Sequence, residues 1–484
     1  MFALPTRGAI RSRWDSEDAM SVELCFTPAT ELVARYRART LSPVEVTRAV
    51  LARIDALNPK LNAYCLVDSD RALAAARASE ARWMKGAPAG PVDGVPASIK
   101  DLVLAQGWPT LRGSKTIDPA GPWHDDAPAT ARLRESGAVL LGKTCTPEFG
   151  WKGVTDSALT GITRNPWNLD RTPGGSSGGA SAQVAAGLGQ LAVGTDGGGS
   201  IRIPCGFTGI SGIKANFGRV PAWPLSPMGT VAHVGPMART VADCALMLNV
   251  LARPDPRDWY ALPHDHVDWT SGLEAGVKGL RIAYSPRLGY VKSVHPEVES
   301  RVAEAVRTLA GLGATVDQVD PGFADCSETF RVHWTSGAYN ALRRLPEKKL
   351  ALVEAPLVRW FEAGSKWSLE QYLDAVGARQ ALGEHMRRFH EEWDLLATPA
   401  LAVPAFEVGR ITPAGDAEDW MGWTPFSYPF NLTQQPALSV PCGFTRDGLP
   451  VGLQLVAPQY HENLALRAAH AFQQATDHLK RPPL

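Results

Sequence analysis

Ten glycines, a serine pair and an acidic turn share the short run from Thr172 to Ser200. It reads Thr-Pro-Gly-Gly-Ser-Ser-Gly-Gly, then an alanine-rich segment, then Gly194-Thr195-Asp196-Gly197-Gly198-Gly199-Ser200. Glycine at this density lets a backbone take positive φ and approach a ligand closely, so N–H groups can converge on one point. A serine that ends such a turn is a candidate nucleophile. A lone glycine-rich loop is better read as a tight connection. Two of them joined by one helix and one strand are harder to read that way.

Composition narrows the partner. A chain of 484 residues buries a substantial core whether it forms one large domain or two to three ordinary ones. Lys plus Arg and Asp plus Glu are equal at 49 each, so no net field favours nucleic acid or an anionic membrane. The expected partner is a small molecule. Cysteines at 25, 65, 145, 205, 244, 326 and 442 show no CxxC or Cys/His zinc spacing and read as free thiols in a reducing compartment. No charged-then-apolar leader opens the chain and no apolar run is long enough to span a bilayer, so a cytoplasmic protein is expected.

Residues 1–26 lack a clear period and are expected to be an N-terminal tail, with a single domain over 27–484. Ser42-Pro43-Val44-Glu45 is a capping box with proline at the first helical position, and Asn58-Pro59 is expected to stop that helix. Another helix is expected across Asp70 to Met84. Pro91 to Leu102 then reads as a turn leading into a short apolar strand that carries Lys100, flanked by Ile99 and Leu102, a lysine that could simply reach water. A helix from Ala129 to Ser136 and a strand from Ala138 to Lys143 give the alternation of an α/β sheet. About 253–392 the chain is richer in charge and aromatic residues, with helices around Pro296 to Leu312 and Leu369 to Glu392, and reads as a variable, largely helical elaboration.

Several familiar patterns fail on context. Gly174, Ser176 and Gly178 satisfy the GxSxG of a nucleophile elbow, and His461, His470 or His478 could complete a triad. The prolines and polar residues of Asn165 to Pro173 make a poor preceding strand. Gly187, Gly189 and Ala192 mimic a dinucleotide fingerprint but end a helix rather than follow a strand. The histidines show no metal-ligand spacing, and His264-Asp265-His266 reads as loop; no metal or cofactor is expected. What remains is a hydroxyl-based site without histidine. Lysine is the available base, because desolvation disfavours the ammonium and a neutral amine can accept a serine proton. Lys100 lies inside its strand, whereas Lys143 only closes one.

These residues carry a resemblance to the amidase signature family. The match takes in Gly174 to Gly179, Gly194 to Arg202, Ser98-Ile99-Lys100-Asp101, Gly142-Lys143-Thr144, Asn165-Pro166-Trp167-Asn168, Gly235-Pro236-Met237 and Gly448 to Gln454, in order along nearly the whole chain. It implies an α/β/α fold with a mixed central sheet. It also implies a Ser–Ser–Lys triad: Ser200 as nucleophile, Ser176 as bridging serine held by a cis peptide, and Lys100 as base. The N–H groups of Gly197, Gly198, Gly199 and Ser200 are the implied oxyanion hole. Asp196 and Arg202 resemble the family's structural ion pair, and Phe149-Gly150-Trp151 its acyl-pocket wall. Cys145 stands where the family often has asparagine and reads as a buried, inert thiol.

The expected activity is hydrolysis of C–N amide bonds in small aryl or alkyl amides through a serine acyl-enzyme, extending to esters and carbamates. Trp423 to Ala437 is similar to aryl acylamidases and nylon-oligomer hydrolases, and urethanase activity is a natural extension. Trp223, Trp420, Trp423 and Phe426 are candidates for the entrance. The alternatives are the A subunit of a glutamine-dependent tRNA amidotransferase and a binding protein on an inactive amidase fold. The aromatic Phe149 to Trp151 stretch weighs against the first, and the intact triad against the second. A homodimer is left open.

Overall fold

The computed structural model describes residues 22–414 and 419–484. The central sheet is built from β1 (Tyr64–Val67), β2 (Pro96–Lys100), β3 (Val139–Thr144), β6 (Leu191–Asp196), β7 (Ser211–Lys214), β8 (His233–Ala238), β9 (Arg281–Tyr284), β10 (Thr315–Gln318), β11 (Leu395–Pro399), β12 (Ala437–Phe444) and β13 (Pro450–Val456). The two-residue strands β4 (Asp156–Ser157) and β5 (Gly161–Ile162) pair separately. Strand order across the sheet is β1, β3, β2, β6, β8, β7, β12, β13, β11, β9, β10. The trio β3, β2, β6 is parallel, as is the trio β11, β9, β10. Antiparallel pairings through β8, β7, β12 and β13 join them. This is an α/β fold with a mixed sheet and flanking helices.

Burial explains the sequence pattern. Strands β2 and β3 are buried at every position, and so read as apolar runs rather than alternations. Helix Ser69–Met84 packs on β3, Val241–Leu251 on β8, and Glu462–Gln474 on β12. Parallel strands β2 and β6 lie in register, Ile99 beside Val193, so Lys100 at the end of β2 and the glycine turn after β6 emerge together. Ligands of open α/β sheets gather at such carboxyl ends.

Three expectations need correction. Residues 22–26 are helical, and Cys25 and Phe26 are buried in a core cluster with Leu32, Tyr36 and Ala186, so this end of the expected tail is packed. The helix begun by the Ser42 capping box runs through Pro59 to Leu61 and ends at Asn62 with φ 51°. Asn58 permits this: its Oδ1 accepts from the N–H groups of Ala63 and Tyr64, which ties the exit to β1. The segment 253–392 contains β9 and β10, short strands of the central sheet that its helical periodicity hides.

Gly179 shows how tightly the segment after Ser176 and Ser177 is seated. It lies in helix Gly178–Ala185, whose residues are all buried. A Cβ there would stand 2.5 Å from the Ala63 carbonyl oxygen and 2.5 Å from the Cys145 nitrogen, both backbone atoms. Gly179→Ala is therefore expected to destabilise the fold by about 1–3 kcal/mol through overpacking. Urea denaturation measures this, and an unchanged midpoint would contradict so close an approach.

Candidate active site

Lys100 is fully buried, but it closes β2 rather than lying inside the strand as expected, whereas Lys143 lies inside β3. Its Nζ lies 2.7 Å from Ser176 Oγ, 2.8 Å from Ser177 Oγ and 2.8 Å from Thr195 Oγ1. Burial holds its amine well below the ordinary lysine range, and Asp196 opposes this only in part. A neutral amine has two N–H donors and one lone pair. Ser177 Oγ donates its proton to the Thr195 carbonyl at 3.1 Å, so toward Lys100 it can only accept. A neutral Lys100 would keep one lone pair for a hydroxyl, and the Ser176 Oγ stands within reach of it. Ser177 and Thr195 were not singled out from sequence; their places in Gly-Gly-Ser-Ser-Gly-Gly and Gly-Thr-Asp were the available signal.

Ser176 follows a cis peptide bond from Gly175. A Cβ on Gly175 would lie 2.6 Å from the backbone of Val154, which admits only glycine beside the serine. Ser200 stands on the turn after β6, and its carbonyl accepts from the Ser177 N–H at 3.2 Å, linking the two glycine-rich loops. Ser176 and Ser200 open into one cavity of about 130 Å³, and no direct hydrogen bond joins them.

A buried ion pair shapes the turn that carries Ser200. Arg202 Nε and Nη2 donate to the two Asp196 oxygens at 3.0 and 2.9 Å, and both side chains are fully buried. Burial alone would raise the Asp196 carboxyl, but Arg202, Lys214 and Asn431 outweigh it and keep it well below the ordinary carboxylate range. The Gly199 N–H donates to Asp196 Oδ1 at 2.7 Å. That corrects one member of the expected oxyanion hole: the Gly199 N–H is taken up in bracing the turn. Gly198 needs its missing side chain, since a Cβ would meet Phe330 at 2.7 Å and Trp420 at 2.8 Å.

The cavity walls are mainly apolar: Leu102, Val103, Phe149, Trp223, Met228 and Trp334 line it, with Gly150 and Gly197. Trp151 does not. It is fully buried behind the wall, its Nε1 donates to Glu354, and its ring packs 5.8 Å from Trp360. Its carbonyl accepts from Trp334 Nε1 at 3.0 Å, so it supports a wall residue instead. The 3-10 turn Glu148–Gly150, with Phe149 at φ 51°, separates the two aromatics. Of the entrance candidates only Trp223 lines the cavity; Trp420 packs on Trp334, and Trp423 stacks on Phe207. Cys145 is buried away from the cavity, and His264 pairs with His266 on the surface. Arg112 and His233, neither picked out from sequence, are polar members of the wall. Among the described residues no carboxylate lines it, and no group of three His, Cys, Asp or Glu side chains could hold a metal ion. No described helix is long and apolar enough to cross a membrane.

Ser176, Ser200 and the buried Lys100 thus meet around one apolar cavity on the α/β sheet. The chain belongs to the amidase family: the family's sequence profile, Amidase, matches residues 45–466. It is 36% identical to an acylamidase of Rhodococcus erythropolis over 458 residues, covering 92% of this chain and 94% of that one. It is 37% identical to the A subunit of the glutamyl-tRNA(Gln) amidotransferase of Myxococcus xanthus over 482 residues, covering 93% and 97%. Among solved structures, a bacterial aryl acylamidase of the amidase signature family superposes with a TM-score of 0.86 at 32% identity, covering 94% of this chain and 98% of that one. A 6-aminohexanoate cyclic dimer hydrolase complexed with substrate gives 0.86 at 30% identity, covering 95% and 99%.

The depressed Lys100 fixes a sign. With Lys100 as general base, hydrolysis is expected to be lost as pH falls through the lowered pKa and to be fully present above it. The acid limb of kcat/KM is expected well below the ordinary lysine value. Lys100→Met should lower kcat by about 10²–10⁴-fold, the usual share of a general base, and abolish that limb. A limb at the ordinary lysine value, or one surviving in the variant, would contradict the assignment.

Proposed function

We propose that this chain is a stand-alone amidase, cleaving C–N amide bonds of small aryl or alkyl amides through an acyl-enzyme on Ser200. The 2.7 Å contact between Lys100 Nζ and Ser176 Oγ, on the cavity that Ser200 also lines, carries this reading. Lys100 accepts the Ser176 proton while Ser176 accepts that of Ser200, whose Oγ attacks the carbonyl carbon. The negative oxygen meets N–H groups of Gly197, Gly198 and Ser200; losing one such donor in comparable sites costs roughly 2.7–4 kcal/mol of barrier. Ser176 then hands a proton to the departing nitrogen and recovers one from Lys100. Water repeats the sequence on the acyl-enzyme and releases the acid.

Apolar walls with Phe149, Trp223 and Trp334 favour aryl or alkyl groups on the substrate. Esters and carbamates pass through a similar tetrahedral centre and are further expected substrates. The likeness to the glutamyl-tRNA(Gln) amidotransferase chain supports a second reading, release of ammonia from glutamine. Against it, Arg112 offers a partner for an α-carboxylate but no described wall residue offers a counter-charge for the α-ammonium.

Turnover of p-nitroacetanilide, glutamine and an aryl carbamate by the isolated chain, with Ser200→Ala as blank, separates the readings. Anilide cleavage without glutaminase activity is expected. Glutamine hydrolysis with an inert anilide would favour the second reading.

A further inference from the structure

Arg112 is a cation without a counterion. Among the described residues it is the only charged side chain lining the cavity, on a wall that also holds Leu102, Val103 and Phe149. Its loop is pinned at three points: the Leu111 and Gly113 N–H groups donate to the Asp101 carboxylate at 3.2 and 3.3 Å, and the Arg112 carbonyl accepts from the Phe149 N–H at 2.8 Å. Arg112 is held there at φ 56°, a conformation that favours glycine, so the chain keeps a long side chain where its backbone disfavours one. The guanidinium donates no hydrogen bond and forms no ion pair among the described residues. It is not sealed off either, because the residue is half-buried and none of its nitrogens is among the fully buried atoms that lack a partner. Asp101 does not neutralise it, since that carboxylate is taken up by the two loop N–H groups and by Lys143 Nζ at 3.7 Å. Burial lowers the arginine from its ordinary value, and Asp101 offsets this only in part. A cation drawn out of water and left unpaired is costly, and one that faces a cavity has a partner to gain from outside the chain.

We propose that Arg112 determines specificity by binding a carboxylate carried on one end of the substrate, so that the preferred substrates are amides with an anionic group rather than neutral ones. This rests on the amidase reading above and narrows its substrate class. The planar fork of a guanidinium matches the two oxygens of a carboxylate, and no carboxylate among the described wall residues stands ready to repel it. The rest of the wall is mainly apolar and takes the aryl or alkyl part. A neutral amide of the same shape leaves the guanidinium unpaired, and sites built around a buried polar group discriminate against analogues that fail to pair it far better than apolar walls do.

The test uses two pairs of substrates matched in shape. 4-Acetamidobenzoate against p-nitroacetanilide puts the charge on the amine side, the nitro group being a neutral counterpart of the carboxylate. Glutaryl p-nitroanilide against pentanoyl p-nitroanilide puts it on the acyl side. Intrinsic reactivity differs within a pair but cancels when the anionic-to-neutral ratio of kcat/KM is compared between wild type and variant. In Arg112→Met that ratio is expected to fall about 10–100-fold for at least one pair, the worth of a hydrogen bond to a charged group, and Arg112→Lys is expected to recover part of it. The pair that responds identifies the end of the substrate that Arg112 holds. A merely structural role would lower both members together, and ratios unmoved in both pairs overturn the proposal. A second measurement keeps Arg112 and so does not depend on its variants folding. In calorimetric titrations of Ser200→Ala protein, the anion of at least one pair is expected to bind more tightly than its neutral partner, by a margin that shrinks as salt is added. Equal affinities within both pairs overturn the proposal too. A wild-type enzyme that hydrolyses glutamine and none of the four anilides would instead sink the amidase reading, and this inference with it.

Discussion

The buried pair of Asp196 and Arg202 is what the Ser200 turn hangs from. Two charges taken out of water are costly unless every donor and acceptor is used, and here they are used across distant parts of the chain. Arg202 also donates to the Ser427 carbonyl, Gln454 and Asn431, while Asp196 accepts from Gly199, Ile201 and Asn431. Ser427 in turn donates to the Gly198 carbonyl at 2.6 Å. A flexible run of glycines is thereby fixed from outside by residues more than two hundred positions away. The turn can then present N–H groups without reorganising, which is what makes electrostatic stabilisation effective.

A second constraint, desolvation, acts on Lys100. Lys100 has no carboxylate within hydrogen-bond reach; its Nζ meets hydroxyls, and burial does the rest. A salt bridge there would have kept the amine charged and removed it as a base. Lys143, one strand over and equally buried, is the contrast. Its Nζ stands 3.7 Å from Asp101 and is lowered only to about 8 by burial, with Asp101 resisting. Both lysines are buried, but the company each keeps differs, and with it the work each can do.

The parts legible in the sequence were those encoded in contiguous residues. Lys100, Ser176 and Ser200 sit in short motifs, and their strand and loop settings follow from local pattern. What escaped depends on pairing between distant segments. His233 reaches the site because β8 runs antiparallel to β6, and Arg112 because its loop folds against Phe149, whose N–H its carbonyl accepts. The strands β9 and β10 are four residues each and lie amid long helices, so periodicity hides them. Trp151 was misplaced for a related reason: neighbouring aromatics cannot be sorted between core and cavity until the turn at Phe149 is seen. The Gly199 N–H, too, looks free until the Asp196 carboxylate is found on it.

Intact-mass spectrometry after fluorophosphonate treatment tests the central claim, that Ser200 is the nucleophile activated through Ser176 and Lys100. The account predicts one adduct on the wild type, none on Ser200→Ala, and sharply slowed labelling in Ser176→Ala and Lys100→Met. An adduct that persists in Ser200→Ala and disappears in Ser176→Ala would contradict it, because the roles of the two serines would then be reversed.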